Sequence, residues 1–296
     1  MLAKDKISVD HFVITRFNLK KLGPHFQKDK NGNATQTEAW LTHRFKLFET
    51  YCIPSLRGQT CQGFKWIVLF DVDTPALYKG KIEGYQKAFS NFCPLYLETG
   101  ETEYLRQSLR DAIHSMSHQY STFIITTRID NDDAFNIDMI KDVQTTMIGK
   151  TDCFLNYNYG VQYDAIDCLA VKMRDESNHF LSRIERNSSQ LETVITHDHT
   201  HVDKVSKVLS IDNKNRPMWV EVVHESNVGN WLRLSMPIFS DKYFERFNLN
   251  VSINKQKSIV LILRFLKFRT YVLFASIFTK ILTKIGLLEQ FKKAIS

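Results

Sequence analysis

The sequence has no Cys-x-x-Cys pair, and its five cysteines (Cys52, Cys61, Cys93, Cys153 and Cys168) are odd in number and scattered. A cysteine zinc site and a disulfide framework are therefore not indicated. No uninterrupted apolar stretch of signal-peptide type opens the chain, because Lys4, Asp5, Lys6 and Asp10 break it, and the reading is a reduced, cytoplasmic compartment. No glycine precedes Gly23, which excludes a glycine-rich phosphate loop after the first strand. Long hydrophobic runs are missing as well. The longest uncharged stretch in the C-terminal region is residues 270–279, against about 20 apolar residues for a transmembrane helix. Acid is scarce in one place. Residues 251–296 carry nine basic residues and a single acid, Glu289, so this segment is +8 in a chain whose net charge is +7. Residues 1–250 are then close to neutral, at −1. A nucleic-acid-binding fold spreads basic residues over its folded face. Here the positive charge is terminal, so the reading is no nucleic acid and a partner met by the tail.

What is present is a core. Hydrophobic residues at 43% and aromatics at 12% exclude disorder for most of the chain. Residues 11–17, 64–70 and 121–127 read as near-continuously apolar buried strands. A polar loop over 20–37 and helical spacing from Glu38 to Pro54 lie between the first two. Helices are predicted over 76–90, 101–120 and 136–148, with a further strand at 94–98. Residues 151–173 read as a hairpin broken at Gly160, and 205–211 and 218–224 as later strands. Buried strands alternating with helices predict an α/β fold, a mostly parallel sheet flanked by helices. In such sheets ligands bind at the carboxyl ends of strands. Asp71, Asp73 and the acids at 130–133 follow strand ends.

Asp130 and Asp132 alternate about Asn131, and residues i and i+2 of an extended segment point to one side. Two such carboxylates can share a hard divalent cation, Mn²⁺ or Mg²⁺, together with phosphate oxygens. The alternative is a solvated acidic turn, with Arg128 as a structural ion-pair partner. As a loop carboxylate, Asp132 is expected to add little to stability. Asp71 and Asp73 can accept hydrogen bonds from a ligand or form an Asx turn before Pro75. The string His197, Asp198, His199, His201 reads as a polar loop or a second metal site.

Several stretches resemble the bacterial putative rhamnosyltransferase family, glycosyltransferases of GT-A (Rossmann-like) fold related to family 2. They are residues 11–18, Trp40-Leu41 with Arg44-Phe45, Tyr51 to Ser55 with Gln59-Thr60, 64–71, 127–133 and 217–224 with Asn227. The string Thr127, Arg128, Ile129, Asp130, Asn131, Asp132, Asp133 is the most specific. Within the string 178–185, His179 stands where the family leads one to expect a different residue. The resemblance covers about residues 10–235. It implies a GT-A domain over 1–250, with a nucleotide-sugar-binding half at about 10–150 and an acceptor half at about 151–250. It implies transfer of a sugar, by the family's name rhamnose, from a nucleotide-sugar donor to a glycan or lipid-linked acceptor in cell-surface polysaccharide or lipopolysaccharide assembly. A metal on Asp130 and Asp132 would neutralise the diphosphate, and His224 could complete its shell, the alternative being a buried histidine bonded to a carbonyl or to Glu225. Thr15, Arg16, Asn18, Asp71, Asp73, Arg128 and Asp130 would line the nucleotide-sugar pocket. An inverting transfer also needs a general base, for which Asp198 is the first choice and Glu185 the second.

The tail over 251–296 mixes Arg264, Lys267 and Lys280 with Ile262, Phe265, Leu266, Tyr271, Phe274, Ile277 and Phe278. That composition predicts a basic amphipathic helix lying on an anionic membrane surface, a peripheral location on the inner face of the cell membrane. A helix packed on the body or a dimer contact is the alternative. Two other functions compete: another metal-dependent phosphate enzyme (nucleotidyltransferase or phosphohydrolase), or a non-catalytic membrane-associated scaffold.

Overall fold

The computed structural model describes residues 8–20, 27–227 and 230–284. The first apolar run forms β1 (Val9–Arg16) and the second β2 (Lys65–Asp71), each buried along nearly its whole length. Between them lie α1 (Glu38–Leu47), one wider π turn (Phe48–Cys52) and the short α2 (Ile53–Arg57). Thr37 caps α1 by accepting from the Trp40 N–H, and Leu41, Phe45 and Phe48 then face the core. The chain continues through α3 (Ala76–Ala88), β3 (Phe92–Leu97), α4 (Thr102–Met116) and β4 (Phe123–Arg128). In α4 the predicted stripe is buried as Leu105, Leu109 and Ile113, each such side chain stabilising the fold by about 1.5–3 kcal/mol. Then come β5 (Ala134–Phe135), α5 (Met139–Met147), β6 (Cys153–Tyr157), β7 (Tyr159–Asp164), β8 (Leu169–Arg174), β9 (Ser182–Arg186), β10 (Lys207–Ile211), β11 (Trp219–Val223) and α6 (Lys255–Lys284).

The expected α/β architecture is present. A seven-stranded sheet has the order β10-β6-β9-β4-β1-β2-β3, and β9 alone runs antiparallel to its neighbours. Helices cover it, and a four-stranded sheet, β5-β11-β7-β8, packs beside it. From β1 the chain progresses one way to β2 and β3, then returns to place β4 on the other side of β1. That reversal opens a crevice at the carboxyl ends of β1 and β4, where Arg16 and Arg128 end their strands.

Three local expectations change. Residues 151–173 are not one hairpin: β6 joins the large sheet, and only β7 and β8 pair as a hairpin in the small one. Gly160 is no break but lies inside β7, where a Cβ would come within 2.0 Å of the Trp219 indole, so the missing side chain makes room for that ring. Strand β9 was not foreseen, because its Ser-Arg-Ile-Glu-Arg sequence lacks apolar alternation. It is buried because its polar side chains find partners: Ser182 with Thr127, Arg183 with Glu192, and Glu185 with the Glu192 and Thr193 N–H groups.

The tail is helical over its described part, but the expected amphipathic division into an apolar and a charged face is not present, because its cations fall on opposite sides; Glu289, Lys292 and Lys293 lie outside the described residues. Its root is tied to β8: the Asn254 N–H donates to the Cys168 carbonyl and Lys257 pairs with Asp167 at 2.5 Å. From Leu266 on, the side chains described are exposed. At 3.6 residues per turn, Arg264 and Lys267 lie on one side and Arg269, Lys280 and Lys284 on the nearly opposite side, with apolar residues around the whole circumference. No described helix is long and apolar enough to cross a membrane.

Candidate functional site

The turn after β4 carries Asp130, Asn131, Asp132 and Asp133 into the crevice. Asn131 fixes it there: its side-chain N–H₂ donates to the carbonyls of Arg16 and Phe17, and its oxygen accepts from Arg44. The end of β1 and the acidic turn are thereby one unit. The turn borders a cavity of about 420 Å³, whose wall includes Arg16, Arg128, Trp40, His179, Glu221 and Arg233. A second cavity, about 390 Å³, lies beside the start of α4 and shares Arg16, Arg128 and His199 with the first.

The acids divide. Asp130, Asp133 and His179 each offer a ligand atom, all within 4.8 Å of one another. Asp132 borders the same cavity, with Arg44 and Asn227, but is buried and already engaged by protein donors. Its Oδ2 accepts from Arg44 at 2.5 Å and contacts His224 Nε2 at 2.8 Å, with Asn227 at 3.4 Å. The expected ligand set Asp130, Asp132 and His224 is thus split: Asp132 and His224 share one network, and Asp130 belongs to another. The expectation that Asp132 contributes little to stability fails, because it is the counter-ion of a buried arginine.

Electrostatics follow this division. Burial raises the pKa of Asp130, but Arg128, His179 and Arg16 outweigh it and hold the carboxyl well below the usual range. Arg128 grips Asp130 with two bonds of 3.1 Å, the ion pair foreseen as an alternative. Asp132 is also held low, against burial, by Arg44 and His224. Asp133 goes the opposite way, pushed up by burial and by the Asp132 charge. His179, whose burial works against protonation, is raised by its 2.8 Å contact with Asp133 and by the Asp130 charge. Burial and Arg128 lower Arg16 to about 10, partly offset by Asp130.

The other expected residues are spread more widely. Arg16 and Arg128 line both cavities. Thr15 is fully buried and accepts from the Trp66 indole N–H at 2.9 Å, so its hydroxyl serves the core. Asn18 donates to Thr74 and accepts from the Asp71 N–H. Asp71 accepts from the Asp73 N–H at 2.8 Å, the Asx turn foreseen before Pro75, and Lys20 bridges Asp71 and Asp73 at 3.3 and 2.5 Å. Thr15, Asn18, Asp71 and Asp73 line neither cavity. Glu185 also lies outside both, its carboxylate engaged by the loop after β9. Asp198 borders the second cavity, with its carboxyl lowered to about 2 chiefly by hydrogen bonds from the Thr200 N–H and hydroxyl. The string 197–201 is a polar loop closed by those bonds.

Sequence reasoning missed Asp133 and His179 as a pair, and it missed Glu221. The signal for Glu221 was available: Trp219 and Glu221 stand at i and i+2 of β11, so they share a face of an otherwise apolar strand, and both reach the cavity. No pattern joins Asp133 to His179, which are 46 residues apart.

Residues 10–234 match the family described as putative rhamnosyl transferase. No curated protein matches the chain. Among solved structures, TarS of S. aureus is similar at 13% identity and TM-score 0.40, over 88% of this chain and 43% of that one. TarS 1-349 in complex with UDP-GlcNAc is similar at 12% identity and TM-score 0.39, over 87% and 71%. A putative nucleotide-diphospho-sugar transferase from Desulfovibrio desulfuricans G20 is similar at 9% identity and TM-score 0.35, over 74% and 82%. The chain thus spans less than half of the full TarS chain.

Proposed function

The chain belongs to the putative rhamnosyl transferase family, and from that premise we propose that it is a metal-dependent glycosyltransferase. It moves a sugar, rhamnose by the family's description, from a nucleotide-sugar donor to a glycan or lipid-linked acceptor in cell-surface polysaccharide assembly. The observation that carries this reading is the convergence of Arg16, Arg128 and the Asp130–Asp133–His179 group at one crevice.

The donor set fits a divalent cation. Two carboxylates and one imidazole suit Mn²⁺ well and Mg²⁺ less well. Asp130, Asp133 and His179 are the residues that would hold it, in place of the set expected from the sequence. When bound, such an ion supplies positive charge to a diphosphate leaving group. The remaining work belongs to the protein. Arg16 and Arg128, at the junction of the two cavities, bind and orient the diphosphate, since guanidinium geometry matches phosphate oxygens. The nucleoside is assigned to the second cavity and the sugar and acceptor to the first. The buried indole N–H of Trp40 has no hydrogen-bond partner among the described residues and belongs to the first cavity's wall. A sugar hydroxyl would satisfy it.

The general base is assigned to Glu221, which lines the first cavity and whose Oε2 accepts from the Gln162 side chain at 2.6 Å. Asp198 borders the other cavity, and a carboxyl held near 2 is a weak base at neutral pH. Membrane attachment through the tail over 251–296 is part of the proposal. It is supported by a helix whose described apolar side chains are exposed from its fourth turn on and whose only charged residues over the described part are cations. The location that follows is the inner face of the cell membrane.

A thermal-shift screen of nucleotide-sugars with Mn²⁺, with Mg²⁺ and with chelator tests the reading. One donor is expected to stabilise the protein only when metal is present. Turnover of the donor without any acceptor would favour a phosphohydrolase, and the absence of any shift would favour a scaffold.

A further inference from the structure

One exposed apolar surface of the body is not used by the proposed chemistry. Residues 231–239 run as a strap along β8, tied by the Lys172 N–H to the Met236 carbonyl, the Ile238 N–H to the Ala170 carbonyl and a bridge between Val171 and Pro237. Pro237 and Ile238 face inward, while Trp231, Leu234, Met236 and Phe239 are exposed at 65%, 42%, 41% and 39%. The root of α6 is fastened to the same strand and its preceding turn, through Asn254 with Cys168 and Lys257 with Asp167. The strap and the base of the apolar helix therefore flank one strand. The strap also reaches the cavity, because Arg233 and the adjacent Asn230 line the first one. Exposed Arg233, paired with Asp175 at 3.3 Å, lies within the strap and exposed Lys172 on the strand beneath it, and Lys30 stands 4.6 Å over the Trp231 ring. An aromatic residue with aliphatic neighbours and flanking cations is the composition that settles at the headgroup boundary of an anionic bilayer.

We infer that residues 231–239 are a second lipid-contacting surface, which holds the mouth of the first cavity at the bilayer and makes the acceptor a membrane-borne molecule. The inference rests on the membrane reading of α6 and extends it from the tail to the catalytic body.

Tryptophan fluorescence of the full chain tests it. Of the four tryptophans, Trp66 and Trp219 are buried, Trp40 is half-buried in the wall of the first cavity, and Trp231 is 65% exposed, so the emission lost on W231F is the part that reports the strap. On vesicles of zwitterionic lipid with an anionic fraction, brominated acyl chains are expected to quench the emission, and W231F is expected to remove most of the quenching. The double variant L234D/M236D is expected to lower vesicle partitioning about tenfold, with its nucleotide-sugar thermal shift unchanged. Co-sedimentation with vesicles together with quenching insensitive to W231F would overturn the inference and leave the α6 reading standing. No co-sedimentation at all would overturn both. A dimer in sedimentation velocity that L234D/M236D dissociates would assign the strap to a second copy instead.

Discussion

Asp130 and Asp132 stand two residues apart on one turn, yet they belong to different parts of the protein. Around Asp132 the structure is closed: Arg44, His224 and Asn227 satisfy the carboxylate, and all four residues are buried. Around Asp130 the structure is open: the carboxylate is one-third exposed, meets Arg128, and joins Asp133 and His179 at the cavity. The two sides use the same chemistry, carboxylate with cation and imidazole, for different ends. A carboxylate whose acceptor sites are filled by protein donors holds the turn in place. One with a free sector and a second carboxylate nearby can serve a ligand. The comparison teaches that the acidic turn is half framework and half site.

Breaking the closed side should have the largest effect. Asp132→Ala leaves Arg44 buried without its counter-ion, and breaking such a pair costs about 3–5 kcal/mol. We expect a melting temperature lower by about 10 °C, read by calorimetry. The paired change Arg44→Met with Asp132→Leu should recover much of that loss, because a buried ion pair is often replaceable by apolar residues of similar volume. A near-normal melting temperature for Asp132→Ala would erase the distinction between the two sides.

Breaking the open side should leave the fold and remove the function. Asp130→Ala is expected to lower metal-dependent donor binding and turnover by at least about 100-fold, the upper range for groups that only support a metal ligand, with a melting-temperature loss smaller than that of Asp132→Ala, because the Asp130 side chain is 35% exposed against 9% for Asp132. The calorimetric and kinetic readouts of the two alanine variants should therefore be reversed.

The smallest effect sharpens the comparison by isolating the floor beneath the turn. His11 is buried under β4, bonded to Thr127 at 2.8 Å, and burial pushes its pKa down to about 3. In the unfolded chain it titrates near 6.5. Its depressed value means that stability is whole above about pH 6.5 and falls as pH drops toward 3, by up to about 1.4 kcal/mol per unit. Chemical denaturation from pH 7 to pH 5 should show this slope, and His11→Gln should flatten it. The Asp132 contribution is lost only at lower pH, below the ordinary aspartate range, so the two limbs should separate.

The parallel strands were legible because a strand covered on both faces must be apolar throughout, as residues 11–17 and 64–70 are. Strand β9 was illegible because its burial is satisfied by polar pairs that form only once β4 and the loop after it are in place. Within the site, Arg16, Arg128 and Asp130 were legible from their positions at strand ends. Asp71 and Thr15 share that position, but neighbours far in sequence, Lys20 and Trp66, direct their side chains elsewhere.

By itself the sequence determined the alternation of strands and helices, the place of the acidic turn after a buried strand, and the concentration of positive charge in a terminal helix. These follow from local patterning, because apolar periodicity and charge runs are properties of neighbouring residues. Only the tertiary structure decided which carboxylate of the cavity wall is filled by protein donors, which histidine each one meets, and that the strap over 231–239 lies beside the root of the helix. Those are contacts between residues tens to more than a hundred positions apart, and side-chain direction at a strand end is set by what packs against it rather than by its place in the chain.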